Sequence, residues 1–317
     1  MYVQKCVRII RLIPVNVISI LSLIAFLWLI LKWYFPPPTT FWYFTSKHQS
    51  IPLNRKLTSE FKLAFLKNCS LIVTACSRNV EHNLPVFREK IESIVSLFGD
   101  YHIFVGESDS FDKTLILLRQ WSEKTDHITI KTYGNLSQTI ASRTKRIAYC
   151  RNDLLDEIRK NTRFRLSNST FYMVVDADRN TQMDRSNFLS NFDYSIDEWG
   201  AMTASQRTIY YDIWALRSDI VNYDCWQRAK NFLVILITLN QAVERFIRVH
   251  QKPIPFNHSL IPVYSAFCGA AIYQMKYFRE CRYYGYQSHE ICEHVSFNLC
   301  VTRNGGKIYI NPQFQID

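Results

Sequence analysis

The sequence predicts an α/β domain with a mostly parallel, Rossmann-like sheet behind a single amino-terminal transmembrane helix. Three observations predict it. The first is a charge-free run from Leu12 to Leu31, and the second is an alternation of short β-prone apolar runs with helix-period segments from Leu71 onward. The third is FYMVVDADRN, Phe171 to Asn180, an apolar run that ends in two aspartates spaced one apart. Strands that alternate with helices are buried on both faces in parallel sheets, and open sheets of that kind take ligands at the carboxyl edge.

The charge-free run is about twenty residues long, enough to cross a ~30 Å hydrocarbon core. Lys5, Arg8 and Arg11 precede it, and Lys32, Trp33, Tyr34 and three prolines follow. A cleaved signal peptide has a shorter apolar region and small residues at its cleavage site. Residues 12–34 therefore read as an uncleaved signal anchor, with 1–11 as a cytosolic tail and the remainder lumenal, a single-pass type II arrangement. Residues 35–60 are polar, aperiodic and proline-bearing, as suits a stem. Residues 61–317, roughly 255 positions, make one domain. A second apolar run, Phe232 to Leu239, is too short to span and leads into Gln241, Glu244, Arg245 and Arg248, so a core helix is expected there.

Within the domain, Leu71 to Cys76 is a first strand with the polar exit Ser77-Arg78-Asn79. Leu84, Phe87, Ile91, Ile94, Val95 and Phe98 keep helical spacing, and Gly99 stops the helix. Tyr101 to Val105 is a second strand, and Leu115 to Trp121 a helix that Asp112 or Ser110 would cap. His127 to Thr132 is a third strand, Ile147 to Ile158 a helix, and Phe171 to Val175 the strand that delivers Asp176 and Asp178. Residues i and i+2 of an extended segment point the same way, so the two carboxylates can share a hard cation such as Mg²⁺ or Mn²⁺, which in turn can clamp a diphosphate.

The net charge of +11 has no long basic tract behind it. With the domain in the lumen, no nucleic acid is expected as a partner, and nucleotide diphosphates, acidic glycans and lipid headgroups are. Sequons at Asn68, Asn135, Asn168 and Asn257 fall on the lumenal side. Excluding Cys6, eight of the nine cysteines remain for an oxidising compartment, where some pair, with ~105 full connectivities open. No C-x-x-C pair or Cys/His ladder argues for zinc.

Along the chain stand ACSRN (Ala75 to Asn79), GESDSFDKT (Gly106 to Thr114) and RTKRIAYCRN (Arg143 to Asn152), ahead of the strand ending in D-x-D. This series resembles metal-dependent glycosyltransferases of the GT-A fold. Among them it is most similar to the fungal capsule-associated α-1,3-mannosyltransferase family and its bacterial relatives, which show an E-S-x-S-x-D-x-T loop and an R-N helix. YYDIWALR (Tyr210 to Arg217), FCGAAIY (Phe267 to Tyr273), CEHVSFN (Cys292 to Asn298) and GGKIYINP (Gly305 to Pro312) extend the likeness from about residue 70 to the carboxyl terminus.

The resemblance implies a Golgi or endoplasmic-reticulum membrane enzyme. Its donor is a nucleotide-diphosphate sugar, with mannose the sugar the family suggests, and its acceptor a glycan, glycoprotein or glycolipid. Mn²⁺ or Mg²⁺ would be held by Asp176 and Asp178, with His294 as a further ligand, and metal and guanidinium groups would neutralise the leaving diphosphate. Glu293 is the expected catalytic carboxylate, as general base or electrostatic stabiliser. Ser77, Arg78 and Glu107 would approach the nucleoside, and Arg143, Arg146, Arg151 and Asn152 the phosphates. Asp212 and Trp214, alternating on an expected strand, would line the acceptor side.

Where relatives show D-L-D-G, this chain has Asp176-Ala177-Asp178-Arg179, and the Arg179 cation can bind phosphate or weaken a neighbouring metal. Asn180 stands where a haloacid-dehalogenase phosphatase needs threonine. The rival reading is a catalytically inactive, membrane-anchored glycan-binding or chaperone-like protein of the same fold.

Overall fold

The computed structural model describes residues 15–34, 58–160, 169–178, 183–231 and 238–316. Helix α1, Val15–Tyr34, is 20 residues long. The side chains described on it, residues 16–29, are exposed, and among the described residues no helix is long and apolar enough to cross a membrane. The expected cytosolic tail and all but the last residues of the expected stem lie outside the described residues.

Helix α2, Ser59–Leu66, opens the domain, with Thr58 accepting from the amide of Phe61 at 3.2 Å as its cap. There follow β1 (Ser70–Ser77), α3 (Leu84–Val95), β2 (Asp100–Glu107), α4 (Thr114–Ser122), β3 (Ile128–Thr132), the single turn α5 (Leu136–Thr139), α6 (Arg143–Lys160) and β4 (Thr170–Val175). Beyond them lie α7 (Arg185–Leu189), β5 (Ala201–Ser205), α8 (Cys225–Asn231), α9 (Leu239–Phe246), β6 (Ile261–Val263), β7 (Ala270–Gln274), α10 (Glu293–Arg303) and β8 (Ile308–Gln315). Asp112 accepts from the amide of Thr114 at 3.0 Å, so it holds the start of α4 as expected.

The eight strands form one sheet in the order β3-β2-β1-β4-β7-β5-β8-β6. Successive strand residues face opposite sides. Leu71, Val73, Phe171, Met173 and Val175 pack under Phe87 and Ile91 of α3 and Trp121 of α4. Ile72, Tyr172 and Val174 pack under Leu154 and Ile158 of α6 and Phe297 of α10. Helices thus cover both faces, which is why β4 is buried at every position.

The expectation of a mostly parallel sheet holds for β3-β2-β1-β4, whose three pairings are parallel. It needs correction beyond β4. There β7 runs antiparallel between β4 and β5, β8 is parallel to β5, and β6 is antiparallel to β8. Only βαβ crossovers enforce parallel pairing, and the segments that bring in β6 and β7 are not crossovers of that kind. Most of the run expected as a core helix, residues 232–237, lies outside the described residues; Leu239, which opens α9, is exposed.

From β1 the chain winds outward to β2 and β3, then returns to lay β4 on the other side of β1. The carboxyl ends of β1 and β4 therefore flank a topological switch point, where open sheets leave a crevice. A disulfide, Cys76–Cys150, ties the end of β1 to α6 at that crevice, and a second, Cys281–Cys300, joins the loop after β7 to α10. Cys69, Cys225, Cys268 and Cys292 are buried and lie outside these two disulfides. The sequon residues Asn68, Asn135 and Asn257 are exposed, and Asn168 lies outside the described residues.

The Cys76–Cys150 bridge closes a loop with a sequence separation of 74, so the chain-entropy argument gives it ~4 kcal/mol. Replacing both cysteines by serine is expected to lower the denaturation free energy by roughly 2–4 kcal/mol. An unchanged urea midpoint would contradict that placement of the bridge.

Candidate functional site

At the switch point lies a cavity of about 440 Å³. The exit of β1 supplies Ser77 and Arg78, the exit of β2 supplies Ser108 and Asp109, and α6 supplies Arg143, Arg146 and Arg151. Asp176 and Asp178 come from β4, Tyr211, Asp212 and Trp214 from the segment after β5, Phe267 from the loop before β7, and Glu293 and His294 from the first turn of α10. Segments far apart in sequence thus bring most of the expected site residues into one crevice.

Arg151 organises its centre. Buried side by side with the acids, its Nη2 lies 3.1 Å from Asp176 Oδ1 and its Nε 3.3 Å from Glu293 Oε1, and its guanidinium lies over the rings of Phe267 and Tyr283. Burial works against its charge, but Glu293 and Asp176 outweigh burial and hold the guanidinium protonated more firmly than usual. Asp176 is raised to about 7, chiefly by burial and further by the charges of Asp178, Glu293 and Asp212, against the opposing pull of Arg151. Its side chain keeps 31% of its surface open, toward the cavity.

The backbone around Asp176 is fixed by the antiparallel strand that sequence patterning did not show. The Asp176 amide donates to Gly269 O at 2.8 Å. Gly269 has φ +93, and a Cβ there would lie 2.5 Å from Ile316 Cδ1; Cys268 before it is also left-handed, at φ 57. Only glycine suits such a position without strain. Gly269→Ala is expected to cost about 1–3 kcal/mol of stability and to shift Asp176. Unfolding in urea checks the first effect and the activity assay below the second.

Asp212 and Trp214 line the cavity, but not from a strand. Residues 213–215 form a turn, because Asp212 Oδ1 accepts from the amide of Ala215 at 3.3 Å while its Oδ2 accepts from that of Cys268 at 3.0 Å. Burial raises the Asp212 carboxyl, those two amides lower it, and the charge of Glu293 raises it again, with a net upward shift. Trp214 Nε1 donates to Asp224 at 2.9 Å, which fixes its ring at the wall.

Two expected contacts need correction. Glu107 is buried and turned into its own loop, where Oε1 accepts from the amide of Ser110 at 3.1 Å and Oε2 from Thr132 at 2.8 Å. It shapes the β2 exit rather than lining the cavity. Asn152 spends its amide on the backbone of Tyr283, donating to the carbonyl at 2.8 Å and accepting from the amide at 2.9 Å. Arg146 lines the cavity, yet its Nη1 donates to the carbonyls of Ile140 and Ala141 at 2.7 and 2.8 Å, so it also pins the segment before α6. Arg179 lies outside the described residues.

Sequence reasoning missed Asp109, Tyr211 and the disulfide in the cavity wall. Asp109 sits at φ 59 and accepts from the amide of Ser137 at 2.8 Å. Burial pushes its carboxyl up, but hydrogen bonds from Ser137 and Ser108 and the charge of Arg78 outweigh burial and hold it below the usual carboxylate range. An aspartate in a polar loop carries no sequence signal for this role.

The donor set suits a divalent cation. Carboxylate oxygens match Mg²⁺ or Mn²⁺, and both ring nitrogens of buried His294 lack a hydrogen-bond partner. That ring stacks on Phe267 with centroids 3.5 Å apart, and burial, with the charge of Arg151, holds it neutral well below the usual histidine range. The expected three-ligand set of Asp176, Asp178 and His294 is not formed, however: among the described residues no three His, Cys, Asp or Glu side chains are grouped to hold a metal. The flat stacking of His294 fixes its ring by packing. Mg²⁺-type sites commonly use one or two carboxylates and complete their shell with substrate phosphates and water, and Asp176 with Asp178 fits that pattern.

No protein-family model matches the chain, and the comparison with curated proteins finds no match. Among solved structures it is similar to the mannosyltransferase PcManGT from Pyrobaculum calidifontis in complex with GDP-Man and Mn²⁺, at 13% identity and a TM-score of 0.39, over 92% of this chain and 66% of that one. It is also similar to S. aureus TarS 1-349 in complex with UDP-GlcNAc, at 12% identity and TM-score 0.43, over 76% of this chain and 55% of that one. A third is the glucosyl-3-phosphoglycerate synthase of Mycobacterium tuberculosis in complex with Mn²⁺, UDP-Glc and phosphoglyceric acid, at 10% identity and TM-score 0.40, over 82% and 71%. The chain spans less than two thirds of the first two of these. At such scores the likenesses carry no argument, and a functional reading rests on the cavity's own residues.

Proposed function

We propose that the chain is a glycosyltransferase of the GT-A kind, moving a sugar from a nucleotide-diphosphate donor to a glycan or glycoconjugate acceptor. The observation that carries this reading is the meeting, at the β1/β4 switch point, of Asp176 and Asp178 with Arg78 from the exit of β1, the arginines of α6 and Glu293. Arginines and carboxylates lining one cavity suit a diphosphate and an acceptor hydroxyl held side by side. The order of motifs favours a mannosyl donor and the fungal capsule-associated family. The charge-free amino terminus favours a type II anchor in the Golgi or endoplasmic reticulum, with the cavity in the lumen.

When bound at Asp176 and Asp178, Mn²⁺ or Mg²⁺ supplies Lewis-acid neutralisation of the leaving diphosphate. Arg78 and Arg143 bind phosphate oxygens, and Ser77 lies beside the nucleoside. Arg151 neutralises Asp176 and Glu293 together, so the two acids coexist in one cleft. Glu293 takes the proton of the acceptor hydroxyl on its free oxygen. Asp212 and Trp214 orient the acceptor, the ring lying against a sugar face.

The test is release of nucleoside diphosphate from a panel of nucleotide sugars, with and without Mn²⁺. Turnover on one donor, dependent on the metal, is the expected result. Nucleotide binding without turnover would favour the non-catalytic reading, for which the hold of Arg151 on Asp176 is the one structural support; absence of both binding and turnover would contradict the proposal.

A further inference from the structure

Beside the cavity the chain builds a small aromatic hairpin that the reaction above does not use. Between Tyr284 and Ile291 the backbone folds back on itself: the amide of Ile291 donates to Gly285 O at 3.2 Å, that of Gln287 to His289 O at 3.0 Å, and Tyr286 bridges to Glu290. Two clamps hold this hairpin on the first turn of α6. Thr144 Oγ1 donates to Gly285 O at 2.5 Å, and the approach is so close that a Cβ at Gly285 would lie 2.1 Å from Thr144 O. Glu290 accepts from Ser142 Oγ at 2.7 Å and from the backbone amides of Arg143 and Thr144, capping the helix.

The clamped hairpin presents two rings to solvent, Tyr284 at 58% exposure and Tyr286 at 40%. Lys145 Nζ stands 4.0 Å from the centre of the Tyr286 ring. The hairpin runs on through Cys292 into Glu293 and His294 of the cavity wall. Rings held out by a rigid backbone offer contact area at low entropic cost. Tyrosine faces suit the apolar faces of sugar rings, and the adjacent lysine suits an anion.

We propose that this hairpin, with Lys145, is a binding site for the acceptor, and that the acceptor is a saccharide chain carrying carboxylate groups. The inference rests on the glycosyltransferase reading and gives its acceptor a chemical class. The hairpin is continuous in sequence with Glu293, and the net charge of +11 favours an anionic chain over a neutral one.

The full-length protein in detergent is titrated with a uronic-acid-containing oligosaccharide, a neutral oligosaccharide of equal length and inorganic polyphosphate, while nucleoside diphosphate binding with Mn²⁺ is measured on the same preparation. The acidic oligosaccharide is expected to bind at least ~10-fold tighter than the neutral one, since about 1.4 kcal/mol separates such affinities. Tyr284→Ala with Tyr286→Ala, and separately Lys145→Glu, are expected to lose a similar factor, while the Tyr284→Phe, Tyr286→Phe pair retains binding. Equal affinity for acidic and neutral chains overturns the proposal. So does an alanine pair that binds like wild type, or polyphosphate binding as tight as that of the acidic sugar. Nucleoside diphosphate bound without any oligosaccharide overturns this inference alone; neither bound overturns the underlying reading as well.

Discussion

Asp176→Asn is expected to lower sugar transfer by roughly 10²–10³-fold while making the metal-free protein more stable above pH 7. The two effects have one cause. Burial, partly offset by Arg151, raises Asp176 to about 7 in the folded chain, above its unfolded value of ~3.9. Between those two values the folded state holds the proton that the unfolded state has lost, so the carboxylate costs stability increasingly as pH rises from ~4 to ~7. Asparagine lacks that cost. The advantage of the variant is therefore near zero at pH 4, grows through neutrality and levels off above it, reaching about 1–3 kcal/mol once solvent at the open side of the carboxylate is allowed for. Thermal melts of both proteins without metal, from pH 4 to 8, check it, with ~2–4 °C expected per kcal/mol. A variant less stable than wild type at pH 8 would mean that Arg151 overcomes burial.

The second large effect falls on Arg151. Arg151→Met removes the only cation that an observed ion pair places on both Asp176 and Glu293 among the described residues, and leaves two acids facing each other in a buried cleft. Breaking such a pair costs about 3–5 kcal/mol, because the partner charge stays buried without compensation. Denaturant unfolding near pH 7.5 is expected to show that loss, and a smaller one at pH 5, where Asp176 is protonated. Arg151→Lys keeps the charge but lacks the fork that reaches both acids, so an intermediate loss is expected. A methionine variant within 1 kcal/mol of wild type would remove Arg151 from the centre of the account.

The parallel half of the fold was legible because each of its strands is a continuous apolar run and each of its helices keeps a 3.6-residue period. Leu71 to Cys76, Phe171 to Val175 and the helix expected from Ile147 all fall inside β1, β4 and α6. The later half was not. β6 has three residues, and the Asp212/Trp214 alternation that read as a strand belongs to a turn made by the Asp212 side chain itself. The contrast within the site is of the same kind. Residue type and order pointed to Asp176, Asp178, Glu293 and His294, and the fold brings them to one cavity. Glu107 and Asn152 match equally well by type, but their polar atoms are consumed by Ser110, Thr132 and Tyr283, partners that only the folded chain reveals. Cysteine pairing was equally open, since 74 residues separate Cys76 from Cys150.

The most direct test of the central claim is a Mn²⁺ titration of the protein in the presence of GDP or UDP, with free Mn²⁺ followed by electron paramagnetic resonance, for wild type and for Asp176→Asn and Asp178→Asn. The account predicts that wild type takes up Mn²⁺ together with one of the two nucleotides, and that either asparagine variant weakens uptake at least ~10-fold. Uptake that is the same in all three proteins, or no uptake with either nucleotide, would contradict it.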